Sequence, residues 1–69
     1  MIFAPNDRRQ RRRDIIAQAM SLGREITAQR KLFNESTDPS ERNIYRLRIR
    51  ALQRQWLSKI HILAKEYHL

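Results

Sequence analysis

The sequence predicts an all-α protein, one domain spanning 1–69 folded as an antiparallel two-helix hairpin, and three observations lead there. Tyr45, Ile49, Leu52, Trp56, Ile60, Leu63 and Tyr67 recur three or four residues apart, the spacing that lines one face of a long helix. A second series with the same period runs through Ile15, Ala19, Leu22, Ile26 and Phe33, flanked by Ile16 and Met20. Between them lies one polar break, Asn34-Glu35-Ser36-Thr37. So short a connection makes two long helices antiparallel neighbours.

The first helix is expected over residues ~7–33. Pro5 suits a first helical position, and Asn6 or Asp7 a cap. Its opening turns carry Arg8, Arg9, Arg11, Arg12 and Arg13. Positive charge there opposes the helix macrodipole, at a cost of roughly 0.3–1 kcal/mol per group. Local helix stability therefore does not account for the run, which is read as phosphate binding, docking to an acidic protein, a nuclear import signal or a frayed, solvated end. Gln29 occupies a position of the apolar series where an apolar side chain belongs. Gly23, the one glycine, costs roughly 1 kcal/mol relative to alanine. A close approach of the second helix, or a kink, would explain it.

The loop is expected at ~34–38 and the second helix at ~39–67. Asp38 is a capping acceptor, Pro39 sits at the first helical position, and Glu41 lies three residues beyond the cap. Arg42, Arg46, Arg50 and Arg54 follow one another by a turn along one side, with Arg48 elsewhere on the helix. They form either a phosphate-tracking edge or a solvated helix back. Glu25 is placed to pair with Arg46 or Arg48. The apolar stripe repeats at eleven residues (Ile49 to Ile60, Leu52 to Leu63, Trp56 to Tyr67), which suits a nearly straight helix in a compact bundle better than a leucine zipper.

Folding the chain about the loop pairs Phe33 with Pro39, Ile26 with Tyr45, Gly23 with Ile49, Ala19 with Leu52 and Ile16 with Trp56. In that register Ile60, Leu63 and Ala64 lie opposite Arg12, Arg9 and Arg8, and the apolar face outruns its cover. Ile60, Ile62, Leu63, Tyr67 and Leu69 are therefore expected to form a protein interface, unless Ile2 and Phe3 or arginine stems fold over them. From this surface follows the expectation of a homodimer, two hairpins pairing into a four-helix bundle.

Composition narrows the function. Lys and Arg number 15 against 7 Asp and Glu, a formal charge of +8 that favours nucleic acid, anionic lipid or an acidic protein as partner. There is no cysteine, which removes disulfides and cysteine-ligated zinc as stabilisers of a small domain and fits a reducing, cytoplasmic setting. No apolar run approaches the ~18 residues of a membrane span, so no integral insertion is expected. His61 and His68 lack metal-site spacing, the serines have no convergent histidine and acid, and a single glycine cannot make a phosphate loop. The chain is thus read as no enzyme, with no metal and no cofactor. Trp56, Tyr45 and Tyr67 are read as core rather than as stacking platforms for bases.

Tyr45-Arg46-Leu47-Arg48-Ile49-Arg50-Ala51-Leu52 resembles the arginine-rich run in the second helix of a family of basic two-helix bacterial ribosomal proteins that bind rRNA. The pattern and length of Ile15 to Tyr67 are also similar to the small helical-hairpin co-chaperones of type III secretion needle subunits. Neither resemblance assigns a role to a residue. Two functions are expected from these features. The first is nucleic-acid (RNA or DNA) binding led by Arg8, Arg9, Arg11, Arg12 and Arg13 and assisted by Arg42, Arg46, Arg50 and Arg54. The second is an adaptor or small chaperone subunit that buries an apolar helix face against an acidic or helical partner protein. A basic amphipathic surface on an anionic membrane ranks last.

Overall fold

The computed structural model of the chain describes residues 6–68. Two helices, α1 (Asn6–Glu35) and α2 (Pro39–Tyr67), pack antiparallel as a hairpin. Pro5, Ile2, Phe3 and Leu69, which entered the sequence reading as a helix start, a cover and an interface residue, lie outside the described residues.

The turn is built by the residues whose chemistry favours it. Asp38 is extended (φ −83°, ψ 120°), and its carboxylate accepts from the Ser40 N–H at 3.1 Å. Its carbonyl accepts the first helical hydrogen bond from the Arg42 N–H at 2.9 Å, and Pro39 has no N–H to lose at N1. Glu41 departs from the capping-box expectation, since its carboxylate accepts from the Ser36 hydroxyl at 3.0 Å and so ties the cap to the end of α1. At the other end His68 closes α2 in the left-handed region (φ 57°), its N–H donating to the Leu63 carbonyl.

The first helix runs through Asn34 and Glu35, which the sequence placed in the loop. Arg42 supplies the reason. Its guanidinium donates to the Phe33 carbonyl at 3.1 Å and the Ser36 carbonyl at 3.0 Å, and its Cζ lies 4.1 Å from the Phe33 ring centroid. Carbonyls that would otherwise end the helix without partners are thus satisfied from α2.

The longer α1 moves the register. Gly23, expected level with Ile49, instead lies beside Trp56. Glu25 and Gln29 share a hollow with Arg48, Ala51 and Leu52, and Arg8 and Arg11 reach Glu66. Relative to the sequence expectation, α2 has slid along α1 by about one helical turn. Leu63, expected to lie uncovered, is 6 % exposed and is the one buried residue of α2. Ile62 and Tyr67 are half-buried, while Ile60 stays exposed. Leu63 is thus corrected from an interface residue to a core residue, while Ile60 keeps the exposure expected of it.

The core is thin. Ile15, Ala19, Ile26 and Leu63 are buried, while Leu22, Phe33, Tyr45, Ile49, Leu52 and Trp56 are only half-buried. Two helices have no third layer to close over their seam, so part of each apolar stripe remains at the edge of a groove.

Candidate nucleic-acid interface

The two sides of the hairpin seam differ in charge. On one side three adjoining hollows form a groove. The first is lined by Met20, Gly23, Arg24 and Thr27. The second, of about 500 Å³, is lined by Gly23, Ile26, Thr27, Arg30, Gln53, Trp56 and Leu57. The third, of about 350 Å³, is lined by Arg30, Phe33, Asn34, Arg46, Ile49, Arg50 and Gln53. Gly23 and Thr27 belong to the first two hollows, and Arg30 and Gln53 to the last two, so the groove is continuous. Arginines line all of it and no acidic residue does. On the other side of the seam the hollow of Glu25, Gln29, Arg48, Ala51 and Leu52 is mixed in charge.

Helix geometry divides the arginine cluster between these sides. Residues eighteen apart point the same way, because five turns of about 3.6 residues make eighteen. Arg12 therefore aligns with Arg30, Arg9 with Thr27 and Arg13 with Lys31, all toward the groove. Arg8 aligns with Ile26 and faces α2, where its guanidinium donates to the Glu66 carbonyl at 2.8 Å and lies 5.4 Å from the Tyr67 ring centroid. Arg11 aligns with Gln29 on the mixed side and pairs with the Glu66 carboxylate at 3.4 Å. Asp7 aligns with Glu25 on that same side. Arg8 and Arg11 thus fasten the open end of the hairpin, whereas Arg9, Arg12 and Arg13 are exposed and make no hydrogen bond or ion pair among the described residues.

The ridge on α2 is likewise not one unit. Four residues turn about 400°, so each arginine is rotated about 40° from the last. Arg42 points inward and closes the turn. Arg46 and Arg50 line the groove, with the Arg46 Cζ 5.9 Å from the Phe33 ring. Arg54 has rotated toward the helix back. Arg48 shares the hollow on the mixed side with Glu25, but among the described residues Glu25 makes no ion pair with Arg48 or Arg46, and the expected pairing is corrected.

Arg24, Arg30 and Lys31 were missed as site residues because they are scattered through the chain. For Arg30 and Lys31 the signal was their eighteen-residue offset from Arg12 and Arg13, whereas Arg24 has no such partner in the run. Trp56, read as core, is half-buried and lines the groove. Met20 and Leu57, at 60 % and 58 % exposure, flank it as large apolar side chains open to solvent. No helix among the described residues is long and apolar enough to cross a membrane. Comparison of the chain with protein-family models, curated proteins and solved structures finds no match.

Proposed function

We propose that the protein binds nucleic acid, RNA or DNA, along the groove side of the hairpin. One observation carries the reading: Arg24, Arg30, Arg46 and Arg50 line a continuous groove without an acidic neighbour in it. Arg9, Arg12, Arg13 and Lys31 extend the same side by helical alignment. Cations gathered this way repel one another and lower the stability of the free protein. A polyanion that displaces condensed counterions turns that repulsion into affinity. Arg8, Arg11 and Arg42 are assigned to the fold and Arg54 to the periphery, so the binding set narrows to Arg9, Arg12, Arg13, Arg24, Arg30, Lys31, Arg46 and Arg50.

Fluorescence anisotropy of labelled RNA and DNA across a salt series tests this. Binding is expected at about 50 mM salt, falling steeply by about 200 mM. Arg46→Ala and Arg50→Ala are each expected to reduce the slope of log affinity against log salt by about 1. Absence of binding at the lowest salt rejects the proposal.

A second reading is favoured by Met20 and Leu57, whose exposure leaves apolar surface between the arginines. As an adaptor, the hairpin would take an acidic amphipathic helix of another protein into the groove. A pull-down that retains one stoichiometric protein after nuclease treatment selects it.

A further inference from the structure

We infer that the groove takes unpaired bases, so that the preferred ligand is single-stranded nucleic acid rather than a duplex; this rests on the nucleic-acid reading above. The first observation is chemical. The groove has an apolar middle made by Met20, Trp56 and Leu57 and cationic rims made by Arg24, Arg30 and Arg50. A duplex presents phosphates to such a face and leaves Met20 and Leu57 in water. A single strand places its phosphates on the rims and its bases, which are flat and apolar-faced, in the middle.

The second observation is Gly23. A glycine within a helix is unfavourable, and close packing of α2 would justify it. The packing does not require it: among the described residues outside its own helix backbone, a Cβ at Gly23 would meet Trp56 Nε1 alone within 4 Å, at 3.9 Å, an ordinary contact. What the missing side chain does leave is space beside the indole, in the largest hollow of the groove. That hollow, about 500 Å³, lies within the range of about 300–1,000 Å³ typical of small-ligand sites.

The other occupants fit less well. Two copies joined groove to groove would set arginine rims against arginine rims, a like-charge arrangement. A partner helix needs an apolar floor over several turns, and here Thr27 and Gln53 interrupt it. The same polar groups are hydrogen-bonding partners for base edges.

The test uses the whole protein and a labelled homopyrimidine strand of about twelve nucleotides, within the usual span of single-strand sites, beside a blunt duplex of equal length. Trp56 is the only tryptophan, so its fluorescence reports the groove directly. The single strand is expected to bind about tenfold more tightly than the duplex, a factor one stacked base can supply, and to quench Trp56. The double variant Met20→Ser with Leu57→Ser changes only exposed side chains and is expected to keep its helical circular dichroism. It should lose the single-strand preference while binding duplex as before. Equal or tighter binding of duplex, or a variant that retains the preference, overturns the inference and leaves the nucleic-acid reading standing. Binding of neither ligand rejects both. An acidic amphipathic peptide that quenches Trp56 where the single strand does not assigns the groove to a protein helix instead.

Discussion

Gln29 sits where the α1 series calls for an apolar side chain, and its Oε1 is buried without a hydrogen-bond partner among the described residues. A buried acceptor left unsatisfied costs about 1–3 kcal/mol. Gln29→Leu is therefore expected to raise the thermal midpoint, at roughly 4–8 °C per kcal/mol for a domain of this size. Thermal melting followed by circular dichroism checks it, and nucleic-acid affinity should not change because Gln29 lies on the mixed side of the seam. Arg42 behaves in the opposite way. Replacing it by alanine removes two hydrogen bonds to carbonyls and the Phe33 contact, an expected loss of about 1–2 kcal/mol. The salt dependence of binding should persist. Lysine at this position should restore little, since an ammonium lacks the flat face that lies over the ring. A clear fall in the salt slope with Arg42→Ala would return Arg42 to the binding set.

At the scale of the helices, Gly23→Ala separates stability from binding. Alanine at this position meets Trp56 at an ordinary distance, so the helix should gain about 0.5–1 kcal/mol. The added methyl narrows the hollow beside the indole, and single-strand affinity should fall although no charge has changed. A more stable variant with undiminished affinity would show that the glycine serves no ligand. The helices themselves were legible in the sequence because their cues are local. The Asp38-Pro39 start and the three-and-four spacing each act within a turn or two. The register was not legible. Small residues of α1 face large ones of α2 almost equally well after a slide of one turn, and what separates the two settings is distant in the chain. One contribution is the closure of α1 by Arg42, and the other is the cover gained by Leu63. The arginine run misled for a related reason. It is contiguous in sequence, but a helix distributes contiguous residues around its axis, so Arg8 and Arg11 became fasteners while Arg9, Arg12 and Arg13 joined Arg30 and Lys31.

As a whole the molecule is a rod of 54 × 22 × 16 Å with a radius of gyration of 16.0 Å, against about 11 Å for a compact chain of this length. Such a shape buries little and exposes much, which suits a surface function and makes the free fold marginal. With a formal charge of +8 and several of its cations collected beside one groove, part of that marginality is electrostatic. Two consequences can be measured on one instrument. Raising salt from about 20 to 200 mM should raise the thermal midpoint, because screening relieves repulsion among the groove arginines more than it weakens the single-edged Arg11–Glu66 pair. At fixed low salt, a ligand that binds only the folded hairpin stabilises it by about 2.7 kcal/mol at a hundredfold excess over its dissociation constant. For so small a domain that corresponds to a rise of more than about 10 °C. An oligonucleotide should produce this rise at low salt and lose the effect as salt increases, while a neutral polymer produces none. If the midpoint instead falls with salt and ignores the oligonucleotide, the arginines of the groove are held by attractions within the protein, and the groove is not a site for anions.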